Sequence, residues 1–488
     1  MVGSSKTHTP NGKKLNAIEQ KMYKWLSPVS EPLPDLYLVG GAVRDYLLNR
    51  EIMDIDIACK KPKETASLLG QYHDAAVVLF DKKKNAECYR VVDRNNKKNF
   101  LDIVPLRKNS IFEDLLERDF TLNSIAIPIG RDGRMKEMID PLHGAEDIQN
   151  RQIRMSSINA FQSDPLRILR AFRFAAELNF SLETWTATTI QNQIHLVSKV
   201  SIERIMSELV KLFKTGCSAQ YVRRMDKMGL LEMIFPEIQK LKGCGQNDYH
   251  HLDVWDHSLL VLENCEKIMS NLHNVFPESA ALVQKHLEMN NHFALTKLAA
   301  LFHDIGKPDT RKADKQLNRL VFHGHDRTGR NIISDLSQRV KLSAKDRIFL
   351  ETMVDNHMHF LFLSRPDVKE KTIFKWLRKL GDDSVSLIMI AMADCKSTLG
   401  PASDKTTLDR HLAWSKNLMK QYFYEIRYQL AQVSLINGKD LLALGMSPGP
   451  ELGQILAAVR EAQDLGTIQS YDEGLALAKK MIQNRQSL

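Results

Sequence analysis

The 488-residue sequence lacks any apolar run long enough to cross a membrane, and residues 1–14 are polar and basic with no apolar core. A transmembrane helix needs about 18 or more consecutive apolar residues, and a secretory signal places an apolar segment behind its basic start. These two absences predict a protein with neither a membrane span nor a signal peptide. We therefore expect it in the cytoplasm.

Cysteine is also scarce, and no two cysteines are separated by only two residues, as they are in zinc-binding and redox motifs. This scatter argues against a disulfide scaffold and against a cysteine zinc site, and it fits a reducing compartment. The six cysteines are Cys59, Cys88, Cys217, Cys244, Cys265 and Cys395.

Acidic residues are fewer than basic ones, at 59 against 68, so the formal net charge is +9. An excess of positive charge favours a polyanionic partner such as a nucleic acid. The hydrophobic content of 43% and the charged content of 26% are typical of a globular protein. A chain of 488 residues is too long for one hydrophobic core, so several domains are expected.

The most informative stretch runs from residue 36 to residue 59. An apolar run at 36–39 predicts a strand, and Gly40 and Gly41 predict a tight turn that opens a helix. A second strand is predicted to carry Asp54 and Asp56. Because alternate residues of a strand face the same side, the two carboxylates are expected to lie on one face.

Two neighbouring carboxylates repel each other unless a cation lies between them. Mg²⁺ is the natural candidate, because it takes oxygen ligands and shares its shell with substrate phosphates. A glycine turn that opens a helix offers backbone N–H groups to the same phosphates. The pattern therefore favours nucleotidyl transfer. The alternative is a surface strand with two solvated acids after an ordinary turn.

Asp102 lies in the last of three further predicted strands, at 75–80, 86–93 and 99–104. It has two interpretations, a third active-site carboxylate or a plain surface acid. Lysine and arginine cluster between these strands, at 82–85 and 94–98, which predicts basic hairpin turns.

Residues 38–45, Leu-Val-Gly-Gly-Ala-Val-Arg-Asp, together with Asp54-Ile-Asp56, closely resemble the head-domain signature of class II tRNA nucleotidyltransferases and bacterial poly(A) polymerases. These enzymes belong to the DNA polymerase beta nucleotidyltransferase superfamily. The resemblance implies that Asp54 and Asp56 are catalytic and bind Mg²⁺. It also implies that Gly40, Gly41, Arg44 and Asp45 contribute to nucleotide binding.

The segment 113–127 resembles the second motif of the same family, and Arg118, Asp119 and Asn123 match its core. An arginine forks onto phosphate oxygens, and an asparagine both donates and accepts hydrogen bonds, so these residues are expected at a bound nucleotide. A helix cap and a salt bridge are the alternative. Glu117 stands where the family often has a second arginine, and His143 stands where its third motif more usually has glycine.

Residues 163–174 resemble the family's fourth motif, which is predicted to open a helix. In the family, an Asp-x-x-Arg pair reads the base edges of CTP and ATP, and here Asp164 and Arg167 occupy those positions, with Arg170 one turn further. The alternative is a salt bridge between two residues on one helix face. Ser163 replaces the usual glutamate of this motif.

The second half of the chain has a helical pattern with widely separated histidines and aspartates. His257, the adjacent pair His303-Asp304 and the distant Asp394 occur in the order that the HD phosphohydrolase superfamily shows. Imidazole and carboxylate together suit divalent transition metals, so we expect these four residues to bind Mn²⁺, Ni²⁺ or Fe²⁺. The alternative is a degenerate domain kept for packing or RNA contact. Weaker candidates for the same pocket or for a second metal are His323, His325 and His357.

These observations predict an α+β fold, with an N-terminal nucleotidyltransferase head of mixed sheet and helices followed by a long all-α body that includes an HD domain. The resemblance covers residues 36 to the C-terminus. The expected division is an N-terminal tail with a leading helix (1–27), the head (28–150), a helical neck or RNA-binding body (151–245), the HD domain (246–400) and a C-terminal helical tail (401–488).

The resemblance implies an enzyme that adds C, A or both to a tRNA 3′ end from CTP and ATP with Mg²⁺, with tRNA held mainly through its phosphates. Two alternatives remain. One is a poly(A) polymerase that uses ATP alone, and the other is an HD phosphohydrolase whose head only binds RNA. The connection between Asp102 and the second motif is short for a full CCA-adding enzyme, which keeps a partial, C-adding role open.

Overall fold

The computed structural model describes residues 16–52, 54–83, 86–316 and 319–486, in two compact units, Met1–Val200 and Ser201–Leu488. The predicted N-terminal tail and residues 84–85 of the first basic turn lie outside the described residues. The first unit combines a sheet with helices and the second is almost wholly helical, so the predicted α+β class is confirmed.

The sheet of the first unit has six strands in the order β3-β4-β5-β2-β1-β6. Strands β2 and β5 run parallel and the other neighbours run antiparallel, so the sheet is mixed. The observed bounds of β1 to β5 agree with the sequence prediction to within a few residues, whereas β6 was not predicted. These bounds are β1 (Leu36–Val39), β2 (Asp56–Cys59), β3 (Ala76–Lys83), β4 (Ala86–Val92), β5 (Phe100–Pro105) and β6 (Ala126–Ile129).

One expectation about β2 is wrong, because the strand begins at Asp56 and Asp54 precedes it. Ile57, Ala58 and Cys59 are fully buried, so both faces of this central strand are covered. Asp56 is half-buried and Asp54 is exposed. The acidic pair therefore lies at the edge of the core, where the chain enters the sheet.

Eight helices belong to the first unit in the described residues. Two 3₁₀ turns, Thr121–Asn123 and Ile194–Lys199, and a two-stranded pair, β7 (Gln152–Ile153) with β8 (Ser181–Leu182), complete the unit. The helices are α1 (Ala17–Leu26), α2 (Gly41–Leu47), α3 (Pro62–Tyr72), α4 (Ile111–Leu116), α5 (Gly144–Gln149), α6 (Ala160–Ser163), α7 (Leu166–Leu178) and α8 (Thr184–Gln193).

Helix α1 is firmly docked on this unit. Asn16 and Glu19 form a capping box at its start, and Glu19 also accepts a hydrogen bond from the backbone N–H of Met135 at 3.1 Å. Gly133, at φ +71°, lies so close to the backbone of Tyr23 that a Cβ atom there would be 2.3 Å from its nitrogen. The helix is therefore an integral part of the head rather than a loose leader.

The second unit contains a two-stranded hairpin, β9 (Lys312–Asp314) and β10 (Arg319–Val321), so the prediction of an all-α body is wrong in this detail. A π-helical turn at Tyr422–Ile426 joins two helices. The helices are α9 (Ile202–Phe213), α10 (Ser218–Lys227), α11 (Leu230–Ile234), α12 (Ile238–Leu241), α13 (Val254–Met269), α14 (Leu272–Val275), α15 (Ala280–Glu288), α16 (His292–Phe302), α17 (Lys307–Thr310), α18 (His325–Arg339), α19 (Ala344–Leu363), α20 (Glu370–Leu380), α21 (Asp383–Ser397), α22 (Lys405–Gln421), α23 (Arg427–Ala431), α24 (Gly438–Ala443), α25 (Pro450–Asp464) and α26 (Tyr471–Gln486).

Helices α13, α16, α19 and α21 pack on one another and form the centre of the second unit. Helix α21 is buried over almost its whole length, which explains its nearly continuous apolar sequence. Near the C-terminus, Ile436, Leu441, Ile455 and Val459 form a separate small core. The five-part division given above stays a prediction. No helix in the described part of the chain combines the length and the apolarity that a membrane crossing requires.

Candidate functional sites

The glycine turn after β1 lies beside Asp56. Gly40 has φ +68°, a left-handed conformation that favours glycine. A Cβ atom on Gly40 would lie 3.4 Å from Arg118 Nη1 and 3.7 Å from Asp56 Oδ2. The turn, one carboxylate and one guanidinium that were predicted from distant segments therefore border the same space.

Asp102 is the next carboxylate in this group, because it pairs with Asp56 in the parallel register of β2 and β5. It is buried, so its interpretation as a plain surface acid is wrong. Arg90 on β4 forms a bidentate ion pair with it, with Nε and Nη2 each 2.7 Å from a carboxylate oxygen. Asp102 is therefore neutralised by a side chain, whereas Asp54 is exposed and Asp56 is half-buried.

The pKa of Asp56 is raised to about 6, because burial and the nearby charges of Asp102 and Asp54 together outweigh the opposing effect of Arg118 and Arg90. A cation bound beside this carboxylate would favour its ionised form. Oxygen ligands at one exposed edge are the donor set that Mg²⁺ prefers. The residues present thus fit a divalent cation.

Arg118 is held in place from two sides. Its Nε and Nη2 donate to Asp114 Oδ2 at 3.0 and 2.8 Å, and its Nη1 donates to the carbonyl of Asn123 at 3.4 Å. Glu117, the departure from the family's motif, points elsewhere and forms an exposed ion pair with Lys108 at 2.7 Å. Arg118 is therefore positioned without help from a second arginine.

Arg44 and Asp45, both predicted at the nucleotide, bind each other. Arg44 is buried and donates to the Asp45 carboxylate at 2.9 and 3.1 Å and to Asn123 Oδ1 at 3.4 Å. Glu177 lies 3.7 Å from the same guanidinium. This network connects α2 to the second motif, which gives Arg44 a structural role beside the predicted one.

Asp119 is buried and surrounded by donors. Arg170 on α7 forms an ion pair with it at 2.5 Å, Asn123 Nδ2 donates at 3.1 Å, and the backbone N–H of Phe120 donates at 2.9 Å. Burial on its own would raise the pKa of Asp119, but Arg170 and these hydrogen bonds lower it below the ordinary value. The pair ties the second motif to the fourth.

Replacing Arg170 by Met should destabilise the first unit by about 3 kcal/mol, because it leaves the Asp119 charge buried without its partner. Chemical denaturation at pH 7 measures this change. The double variant Asp119→Asn with Arg170→Met is the matched control and should recover most of the loss. Because the folded pKa of Asp119 lies below its unfolded value, its contribution is present above about pH 4 and is lost as the pH falls. Equal stability of the wild type and Arg170→Met would contradict a stabilising role of the Asp119–Arg170 ion pair.

Asp164 lies just before the start of α7, and the prediction that it shares one helix face with Arg167 is wrong. Asp164 has extended φ and ψ angles of −148° and 98°, and α7 begins only at Leu166. A salt bridge between two residues of one helix face is therefore excluded as an explanation of this pair. Arg167 donates to the carbonyls of Glu117 at 2.8 Å, Arg118 at 3.2 Å and Ala160 at 3.4 Å.

His143 has φ +56°, in the left-handed region. The next residue, Gly144, lies against Thr121, where a Cβ atom would be 2.1 Å from the carbonyl oxygen. The left-handed backbone explains why glycine is the usual residue of this motif at 143. The close contact with Thr121 explains why a glycine is needed at 144.

In the second unit, the four residues predicted as metal ligands meet in the interior. Helix α13 contributes His257, the end of α16 contributes His303 and Asp304, and α21 contributes Asp394. His257 Nε2 lies 3.0 Å from Asp394 Oδ1, and His303 Nε2 lies 3.0 Å from Asp304 Oδ2. All four side chains are buried.

Two histidines that the sequence ranked low complete this cluster. His325 Nε2 lies 3.3 Å and His357 Nε2 3.5 Å from Asp304 Oδ1, and the two Nε2 atoms are 3.2 Å apart. Asp304 thus has His257 and His303 beside one oxygen and His325 and His357 beside the other. His323 is exposed. Half-buried His250 packs on His257 with ring centroids 4.7 Å apart. It was not among the residues predicted for this site.

The hydrogen bonds of these rings fit metal ligation. The Nδ1 atoms of His303, His325 and His357 lie 2.9, 2.8 and 2.8 Å from backbone carbonyl oxygens, to which an N–H must donate. Each Nε2 lone pair then faces Asp304. His303 Nε2, which is buried, has no hydrogen-bond partner. A lone pair and a carboxylate repel each other unless a cation lies between the two. Metal-bound histidines are arranged in this way, with the other ring nitrogen donating to a carbonyl.

Without a metal, the same place would need a proton. Burial lowers the pKa of His303, but Asp304 more than compensates, so the pKa is raised. The pKa of His357 is lowered, because burial there outweighs the opposing effect of Asp304. Gly306 allows the close packing that aligns these ligands, because a Cβ atom there would be 2.1 Å from the carbonyl oxygen of His325.

A cavity of about 590 Å³ leads to this cluster, and its wall is mainly apolar. Its polar groups include Lys307 and Arg319. Lys307 Nζ lies 2.6 Å from Asp304 Oδ2 and donates to Gln246 Oε1 at 2.6 Å. The cavity therefore joins an apolar surface to a cationic, ligand-rich end.

Comparison with known proteins decides the family. The chain is 30% identical to an A-adding tRNA nucleotidyltransferase of Deinococcus radiodurans, over 94% of this chain and 98% of that protein. The chain belongs to the tRNA nucleotidyltransferase family. A CC-adding tRNA nucleotidyltransferase of Thermus thermophilus is 29% identical, over 91% of this chain and 92% of the relative.

Three family models match the chain in the predicted order. They describe a poly A polymerase head domain at residues 36–154, a probable RNA- and SrmB-binding site of polymerase A at 179–241, and an HD domain at 254–394. The expected nucleotidyltransferase head and HD domain are thus confirmed, and this tRNA nucleotidyltransferase homologue carries both.

Solved structures show the same fold. A Thermotoga maritima CCA-adding enzyme complexed with tRNA aligns with a TM-score of 0.62 and 18% identity, over 96% of each chain. A Bacillus stearothermophilus CCA-adding enzyme in complex with CTP gives a TM-score of 0.61 and 20% identity, over 97% of this chain and all of that one. At these identities the likeness supports the architecture of this family member.

Proposed function

We propose that this protein adds C, A or both to the 3′ end of tRNA, using CTP and ATP and releasing pyrophosphate. The observation that carries the proposal is that Asp56, the Gly40 turn and Arg118 border one space, with Asp54 near enough for its charge to act on Asp56. The net positive charge of the protein and its membership of the tRNA nucleotidyltransferase family fit an RNA substrate. tRNA processing and the lack of a disulfide among the described cysteines fit the cytoplasm.

Asp54 and Asp56 would hold Mg²⁺, and Asp102 would remain with Arg90. When bound, the ion supplies charge stabilisation at the reacting phosphate and at the attacking hydroxyl. Arg118 is positioned to donate to the triphosphate, and the Gly40–Gly41 turn lets phosphate oxygens approach the backbone. Asn123, which contacts both Arg44 and Asp119, connects this region to the fourth motif.

Asp164 and Arg167 would choose the base. A carboxylate accepts from an exocyclic amine and a guanidinium donates to a ring nitrogen, a combination that the Watson–Crick edges of cytosine and adenine satisfy and those of guanine and uracil do not. Arg167 uses three of its five N–H groups on backbone carbonyls, so donors remain for the base. The carbonyls of Glu117 and Arg118 hold its side chain against the second motif.

We expect the purified protein to extend tRNA by a defined one to three residues and then stop. Two relatives aligned over about nine-tenths of their length are named for A addition and CC addition, so a single accepted nucleotide is the specific expectation. Trimmed tRNAs that lack A, CA or CCA are incubated with each nucleotide alone and resolved on a sequencing gel. Unlimited growth with ATP on any RNA would identify a poly(A) polymerase instead.

We infer a second activity, metal-dependent hydrolysis of phosphoesters, in the HD domain. The support is the set of imidazole lone pairs around Asp304, which suits two transition ions such as Mn²⁺, Ni²⁺ or Fe²⁺ that share this carboxylate. The apolar wall of the cavity fits a nucleoside, and Lys307 fits its phosphate, so 2′,3′-cyclic phosphate ends of RNA are suitable substrates.

A further inference from the structure

Two cations lie over one aromatic ring at the edge of the head's active site. Arg90 Cζ lies 4.1 Å and Lys21 Nζ 5.7 Å from the centroid of the Phe100 ring. Phe100 and Asp102 are alternate residues of β5, so their side chains are on the same face. Lys21 of α1 is therefore above the face that carries the acidic group.

The charges of this group act on Lys21. Burial lowers the pKa of Lys21, and the charges of Asp54 and Asp102 oppose this shift without cancelling it. Both carboxylates are therefore within electrostatic reach of its ammonium group. The family model for the head begins at residue 36, so α1 precedes it. The contacts of Glu19 and Tyr23 with residues 133–135 hold the helix in this position.

The order of the strands separates the two sides of the site. On one side of β2 lies β1, with the Gly40 turn and Arg118 beside it. On the other side lie β5 and β4, with Asp102, Arg90 and Phe100. In phosphoryl transfer the attacking and leaving oxygens are roughly in line. If pyrophosphate leaves on the β1 side, the attacking 3′-hydroxyl must approach from the β5 side.

We propose that Lys21, with Arg90 beside it, binds the phosphate backbone at the 3′ end of the RNA and so positions the attacking hydroxyl. The inference rests on the proposed nucleotidyl transfer. A lysine ammonium is a compact charge that suits a phosphodiester. Arg90 keeps its bidentate pair with Asp102, which leaves Lys21 as the main contact to the incoming strand.

The test is steady-state kinetics of 3′ extension with trimmed tRNA. Lys21→Met keeps the apolar stem and removes the charge. We expect KM for the RNA to rise about tenfold, with KM for the nucleotide unchanged. The slope of log KM against log salt concentration should decrease by about 0.7, the value for one phosphate contact on a single strand. Lys21→Arg should restore most of the affinity.

Lys24→Met is the matched control, because Lys24 is exposed one turn away on the same helix and should leave both KM values unchanged. A rise in KM for CTP or ATP would overturn the proposal and assign Lys21 to the triphosphate. Equal RNA KM and equal salt slope in Lys21→Met and wild type would also overturn it. A wild type that extends no RNA would instead refute the proposed function itself.

Discussion

Replacing Asp56 by Asn should reduce kcat for 3′ extension at least about 1,000-fold, with little change in folding. Asp56 pairs with Asp102 in the register of β2 and β5 and borders the glycine turn. Losing its charge removes several kcal/mol of charge stabilisation at the reacting phosphate, and about 4 kcal/mol corresponds to a thousandfold. Single-turnover extension of trimmed tRNA with saturating nucleotide measures the effect. Asp54→Asn should behave in the same way.

The matched control is Glu113→Gln, an exposed acid in the first turn of α4. It should extend tRNA at the wild-type rate. The thermal midpoint of Asp56→Asn should equal or exceed that of the wild type, because burial makes the charged form of Asp56 unfavourable. Extension by Asp56→Asn at more than about a tenth of the wild-type rate would refute the assignment of the active site.

Replacing Asp304 by Asn should abolish phosphoester hydrolysis, again by at least about 1,000-fold, and leave extension of tRNA unchanged. Asp304 lies beside all four histidines of the cluster, so its loss affects both groups of ligands. Hydrolysis of 2′,3′-cyclic nucleotides with added Mn²⁺ or Ni²⁺ measures the first activity, and the extension assay measures the second.

Metal analysis gives an independent readout of the same site. We expect two transition ions per wild-type chain, about one in His357→Ala and none in Asp304→Asn. His273→Ala is the control, because His273 is an exposed histidine of α14. Two bound ions in Asp304→Asn would refute its role as a shared ligand. Loss of extension together with hydrolysis would refute the assignment of the two activities to separate sites.

Much of the head could be predicted from local patterns. The apolar run at β1 and the glycine turn depend on neighbours in sequence, and both were found at their predicted places. Asp164 shows how a local rule was missed. Pro165 follows it, and a residue before proline is displaced from the helical region, so the helix had to begin later.

Contacts that form only through tertiary packing could not be predicted from the sequence. Arg90 and Asp102 become partners only through the register of β4 and β5. His325 and His357 join Asp304 only when α18 and α19 pack together, and neither lies in a motif that the sequence alone distinguishes from an ordinary buried histidine. Lys21 likewise has no motif, because its position depends on how α1 docks on residues 133–135.

The two ligand sets differ in a way that reaches beyond this molecule. The head offers oxygen atoms alone, and the HD cluster offers mainly imidazole nitrogens. Magnesium is abundant in every growing cell, whereas nickel, manganese and iron fluctuate with nutrition. If the proposed ions occupy the two sites, a cell starved of trace metals would keep the proposed nucleotidyl transfer and lose the proposed hydrolysis.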